Sequence, residues 1–205
     1  LKSRGGYVVP ILNLTLKKSS WPNVFTLPTI FIEMQNKYLN KWVHIQLSSH
    51  NELLIKRVKE YFSQWNFLQK IGLKIVEKTT IALINLHSNH SGTYSLHISN
   101  KGEYNSILEV SYSQKKLPLT KKIYLFLKLF LLFLRTGNLL LFPLAKLNSG
   151  TQHIGSSFPM SKTPNEFETD TLGQLNGFEN LHIVDSSVLP NLPSTTIGIL
   201  SMANA

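Results

Sequence analysis

The chain contains no cysteine, which excludes disulfides and thiolate metal sites and leaves the redox compartment open. No metal site is expected. Acidic residues are scarce: 11 Asp and Glu stand against 21 Lys and Arg, for a formal net charge of +10. No nucleic-acid-binding motif accompanies that excess. The lysines fall in pairs (Lys17-Lys18, Lys115-Lys116, Lys121-Lys122) rather than in one block. A solvated basic surface is the reading, with no nucleic-acid partner. There is no internal repeat and no secretory signal pattern at Leu1, and a cytoplasmic setting is the expectation. A glycine-rich dinucleotide turn is also missing, because Gly5-Gly6 opens no strand–helix unit.

A long, charge-free apolar run is missing too. The nearest approach is Ile123–Leu144. Its fourteen Leu, Ile and Phe between 123 and 142 would favour insertion by roughly 6 kcal/mol, and Lys128 and Arg135 would cost roughly 5–7 kcal/mol. Thr136, Gly137 and Asn138 tip the sum against a span. A buried or interfacial helix is expected, ended or kinked by Pro143.

What remains is a globular composition, 42% hydrophobic and 16% charged over 205 residues. Residues 1–40 are broken up by Pro10, Pro22 and Pro28, and only Thr29–Glu33 reads as a strand. Val43, Ile45 and Leu47 alternate with polar residues, which predicts a half-buried strand. Ser49 and Glu52 have capping-box spacing ahead of a helix over 51–65. Leu73–Val76, Thr80–Leu86, Thr93–Ile98 and Asn105–Tyr112 read as further strands, with a turn at Asn100-Lys101-Gly102. Ser113–Lys122 reads as a connector. The fold class is α+β, a mostly antiparallel sheet with helices.

The last quarter carries the chemistry. His153 precedes a Gly155-Ser156-Ser157 loop, where small residues let backbone approach a ligand. Leu181–Val184 reads as a short apolar strand ending at Asp185, with His182 structural. Ser194-Thr195-Thr196 offer N-caps for a helix over Ile197–Ala205, and such a helix start is a place for an anion. On spacing alone, the bland reading is a solvated histidine and a capped turn.

Five elements in order give this region a closer likeness. His153 lies seven residues before Met160, Thr169-Asp170 precede Gly173 and Gly177, and Asn180-Leu181 lead into Val184-Asp185. Ser187 precedes Leu189-Pro190, and the segment closes on Met202-Ala203-Asn204-Ala205. Together they closely resemble the C-terminus of the FAD-dependent glucose–methanol–choline oxidoreductases. Upstream, His44–Leu47, the helix after Asn51 and Leu86-His87-Ser88 are similar, more loosely, to that family's substrate domain.

The resemblance implies residues 1–148 as part of a substrate-binding cap and 149–205 as the C-terminal segment of an FAD-binding α/β domain. It implies FAD as cofactor and a small alcohol as substrate, with the electron acceptor open. The reaction would be proton abstraction from the hydroxyl and hydride transfer to flavin N5. The family's catalytic histidine falls on His153. Its second catalytic position falls eleven residues beyond Asp185, on Thr196, where better-known members carry His or Asn. Asp185, Ser186 and Ile197 fall on cofactor-binding positions. With no glycine-rich turn, the chain is expected to be a fragment, inactive alone. Two other readings stand beside this one: a non-catalytic β-rich binding module that keeps the family C-terminus, and a basic membrane-surface protein using residues 121–142.

Overall fold

The computed structural model describes residues 1–15, 30–49, 52–100, 106–141, 146–148 and 153–204. The N-terminal segment that the prolines obscure holds two strands, β1 (Lys2–Ser3) and β2 (Gly6–Asn13). There follow β3 (Ile30–Asn36), β4 (Lys41–Ser49), α1 (Glu52–Tyr61), α2 (Asn66–Val76) and β5 (Thr79–Asn85). The chain continues through β6 (Thr93–Asn100), β7 (Ser106–Ser113), α3 (Leu119–Arg135), β8 (Asn138–Leu140) and β9 (Lys146–Asn148). It ends with β10 (Ile154–Gly155) and α4 (Gly198–Asn204). The class is α+β, and the named strand pairs are antiparallel, as expected.

Two sheets form. One runs β3-β4-β5-β2-β8, with β9 also pairing β2, and the other runs β10-β1-β6-β7. β2 lies inside its sheet despite Pro10. The Pro10 carbonyl accepts from the Leu141 amide at 2.9 Å, just past the end of β8. Both polar groups of a residue in such a ladder face the same neighbour. The missing N–H therefore falls beyond the last β8 pairing, Ile11 with Leu140, and removes no rung toward β5.

The core lies between one face of the larger sheet and α3. Val9, Ile11, Val43, Ile45, Ala82 and Ile84 point to that face, and Leu125, Phe126, Leu129 and Phe133 of α3 meet them. Full burial of each large apolar side chain contributes about 1.5–3 kcal/mol, which holds the helix to the sheet.

The connector expected over Ser113–Lys122 is short, since β7 takes Ser113 and α3 begins at Leu119, and four further expectations need correction. Leu73–Val76 is not a strand but the end of α2. Leu68, Gly72, Leu73 and Val76 lie on one helical face, and that periodicity outweighs the local β-branched character. The single helix expected over 51–65 ends at Tyr61 and restarts at Asn66, after a turn at Phe62–Trp65. The apolar run from Ile123 does not continue as helix to Leu144. It stops at Arg135, where Gly137 takes φ +73° and the chain enters β8. No helix among the described residues is long and apolar enough to cross a membrane. Finally, Leu181–Val184 forms no strand. A single bridge joins His182 to Gln174, no strand flanks the segment among the described residues, and Leu181 and Val184 are exposed. Lys101, Gly102 and Pro143 lie outside the described residues.

Candidate functional site

The His153 loop and the Asp185–Leu189 turn are laced together along their backbones. The Ser156, Phe158 and Met160 amides donate to the carbonyls of Ser186, Ser187 and Val188 at 3.1, 3.0 and 2.8 Å. Side chains add two ties: Ser156 Oγ donates to the Leu189 carbonyl at 2.6 Å, and Ser186 Oγ to the Ile154 carbonyl at 3.0 Å. The approach is so close that a Cβ on Gly155 would sit 2.4 Å from the Ser186 oxygen. The glycine after His153 is thus a packing requirement, not a mark of looseness.

Asp185 caps a 3-10 turn over Ser186–Val188, its Oδ1 accepting from the Ser187 amide at 2.8 Å. The side-chain and backbone hydrogen bonds from Ser187 hold its carboxyl below the usual range, and the residue is exposed. The capped-turn reading is therefore correct as far as it goes. The Thr169-Asp170…Gly173 element is a second turn. Asp170 Oδ1 accepts from the Leu172 and Gln174 amides at 2.8 and 2.9 Å, and Gly173 adopts φ +82° with the Ile183 carbonyl 2.8 Å from where its Cβ would be. His182 is exposed, outside any strand, with Nδ1 3.4 Å from the Leu172 carbonyl.

At the other side of the site, α4 opens where expected, but not on a hydroxyl cap. The first helical bond runs from the Ser201 amide to the Ile197 carbonyl at 2.9 Å, so Ile197 is the capping position. Ile197 is buried, whereas Thr196 is exposed just ahead of the helix. The turn before it is fixed to the 3-10 turn over Ser88–His90 that follows β5: Ser88 Oγ accepts from the Leu192 amide at 2.9 Å, and the Ser88 amide donates to the Leu192 carbonyl at 3.0 Å.

The residue that joins the two sides is Arg4, which the sequence reading missed. Its amide donates to the His153 carbonyl at 3.2 Å. Its Nη1 donates to the Ser194 and Thr195 carbonyls at 3.1 and 2.6 Å. It is only 5% exposed, its Nε has no partner, and burial lowers its pKa to about 10, which still leaves it charged at neutral pH. Two residues earlier, Lys2 Nζ donates to the Pro190 carbonyl at 2.7 Å and to Asn191 Oδ1 at 2.8 Å. The opening Lys-Ser-Arg of the chain is thus a strap across the C-terminal turns. Alternation of Lys2 and Arg4 was the available signal, but their partners are carbonyls, which sequence does not announce.

The electrostatics favour a neutral imidazole. His153 is half-buried, and its pKa is lowered first by burial and then by the Arg4 charge. His87, which caps the Ser88–His90 turn, is lowered to about 4 by burial and then by Lys41, His90 and Lys2. Its Nδ1 accepts from the Asn89 amide at 3.2 Å, a bond that protonation there would abolish. A pH dependence of stability follows. Between 6.5 and about 4 the unfolded chain binds a proton at His87 and the folded chain does not. The His87 contribution is therefore complete above 6.5 and decays as pH falls toward 4. Thermal melts should show Tm falling through that window, and His87→Gln should flatten part of the slope. An unchanged slope in the variant would remove His87 from this role.

The bridged turns, the His153 loop and the helix start all lie in one stretch of the chain. Residues 139–205 match the family model for GMC oxidoreductases. That third of the chain therefore carries GMC sequence, and the likeness drawn from its five elements stands. GMC oxidoreductases typically bind FAD. No curated protein matches the chain. The groups exposed or half-exposed along this stretch are a carboxylate at Asp185, a hydroxyl at Ser186, a hydroxyl at Thr196 and the opening of α4. For the pyrophosphate, GMC enzymes use a glycine-rich turn, and this sequence holds none.

Proposed function

We propose that the chain is part of an FAD-dependent GMC oxidoreductase that oxidises an alcohol at a CH–OH carbon. One observation carries the reading. Within the segment that matches the family, the His153 loop, the Asp185 turn and the turn before α4 form one hydrogen-bonded unit closed by Arg4. Residues 1–148 act as the substrate-binding cap, and 149–205 as the C-terminal segment of the FAD-binding domain. The two are physically continuous, since β10 pairs with β1 in the smaller sheet.

His153 is the general base. It takes the hydroxyl proton of the alcohol, which makes the neighbouring C–H a better hydride donor. A base must be unprotonated to act, and burial and the Arg4 charge both keep this imidazole neutral near pH 7. Thr196 orients the substrate oxygen through its hydroxyl, which both donates and accepts. It does not share the base role as a second imidazole would. Asp185 and Ser186 hold the ribityl side of the cofactor, and Ile197 sets the start of α4 beside it. FAD, when bound, supplies the hydride acceptor.

The test is anaerobic mixing of the chain, reconstituted with a glycine-rich FAD-binding half and loaded with FAD, with a panel of primary and secondary alcohols. Bleaching of the flavin band by at least one is expected, and no bleaching by any would overturn the reading. Asp185→Ala should weaken FAD retention on a desalting column more than it slows flavin reduction in the protein still loaded. Normal retention would take Asp185 out of the cofactor site.

A further inference from the structure

One helix presents two faces of unlike purpose. The inner face of α3 enters the core through Leu125, Phe126, Leu129 and Phe133. The opposite face is apolar as well, yet it is exposed. Leu119, Ile123, Leu127, Leu131 and Leu134 are 70, 57, 54, 46 and 44% exposed, and they follow one another at i+4, i+4, i+4 and i+3. They form a continuous stripe along a helix of 17 residues, about 25 Å long at 1.5 Å per residue. Lys121, Lys128 and Arg135 stand seven residues apart, two turns each, so they line one flank of the stripe.

Charge is as one-sided as the geometry. Between Glu109 and Glu166 the sequence has no Asp or Glu, but it has Lys115, Lys116, Lys121, Lys122, Lys128, Arg135, Lys146 and Lys162. No salt bridge engages the α3 cations among the described residues. A groove of about 430 Å³ runs beside the stripe, between Ile32 and Met34 of β3 and Lys128, Leu131 and Arg135 of α3. The acid at its edge, Glu33, is taken up by His44 Nδ1.

We propose that the outer face of α3 docks on an anionic lipid surface, with the Leu/Ile stripe at the acyl boundary and the cation row against the headgroups. A lipid surface meets both needs at once. It takes apolar side chains to shallow depth, and Lys and Arg stems reach sideways to the phosphates. A second copy placed face to face would set cation row against cation row, and α3 carries no carboxylate to offset them. A polyanion such as nucleic acid would satisfy the cations and leave the leucines in water. The helix lies on the surface rather than crossing it.

The experiment is co-sedimentation of the full 205-residue chain with vesicles of phosphatidylcholine and with vesicles of phosphatidylcholine mixed with phosphatidylserine. Binding to the mixed vesicles, reversed by salt, and little binding to neutral ones is expected. Lys121→Gln with Lys128→Gln and Arg135→Gln should weaken partition about a hundredfold. Leu127→Gln with Leu131→Gln keeps every charge and should still weaken it about tenfold. Leu127, Leu131 and Arg135 are exposed and Lys121 and Lys128 half-buried, so circular dichroism should match the parent, with Tm altered only by loss of the Lys128 contact over the Tyr124 ring, and this separates lost docking from lost fold. Equal binding to both vesicles, or leucine variants that bind like the parent, would overturn the proposal. So would a dimer in lipid-free buffer that the leucine changes dissolve, with no vesicle binding, since the face would then belong to a second copy.

Discussion

His153→Ala is expected to slow flavin reduction by alcohol roughly 10²–10⁴-fold, the range that a positioned general base supplies. The size follows from the step it serves. An alcohol that keeps its proton is a poor hydride donor, and water in a half-buried site cannot replace a fixed imidazole. The same substitution should leave FAD retention nearly unchanged. The His153 carbonyl accepts from the Arg4 amide, and alanine keeps that bond. In the parent, reduction rates should fall on the acid side as His153 takes up a proton. That limb should lie below the ordinary histidine range, because burial and Arg4 both lower this pKa. Stopped-flow reduction of parent and variant across pH checks both points. Unchanged reduction would remove His153 from the chemistry, and an acid limb at or above 6.5 would remove the electrostatic argument.

Much of the molecule could be read from sequence where the local pattern is clear. β4 and β6 alternate apolar and polar residues, and both are strands. α3 announces itself by leucine and phenylalanine density, although its end at Thr136-Gly137 was overshot because the apolar residues of β8 continue the run. Elsewhere local pattern misled. Pro10 disqualified a strand that tolerates it, since its lost donor falls where β8 has ended. Leu73–Val76 looked like strand because four residues are too few to reveal a period of 3.6. Leu181–Val184 has strand residues but no neighbouring strand, and a strand is defined by its partners. At the site, each position chosen from sequence sits in or beside the laced turns, because motif spacing encodes their hydrogen bonds: Gly155 under Ser186, Asp185 on Ser187, Asp170 on Gln174. Arg4 left no such trace. Its partners are carbonyls of Ser194 and Thr195, 190 and 191 residues away, and any residue type supplies a carbonyl.

Arg4→Met is expected to lower Tm by roughly 5–15 °C, the largest stability effect of a single change at the site. The guanidinium makes two charge-assisted bonds to buried or half-buried carbonyls. Such bonds contribute about 1.5–3 kcal/mol each, and a carbonyl stripped of its donor keeps its desolvation cost. Against this stands a return. Arg4 is buried with no carboxylate partner among the described residues and with Nε unpartnered there, so removing it also relieves the cost of an uncompensated cation. The balance is about 2–4 kcal/mol, which at this chain length corresponds to the stated Tm change. Loss of the clamp alone would be a statement about folding, so a second readout is needed, and the charge provides it. With the cation gone, the His153 pKa should rise toward 6.5 but stay below it, because burial is the larger of its two causes. Arg4→Lys keeps the charge and gives up reach, so it should hold the pKa down while recovering only part of the Tm. NMR titration of the His153 imidazole in the three proteins separates the two effects without any bound flavin. A His153 titration identical in all three, with Tm unmoved, would leave Arg4 a buried residue of no consequence to the base.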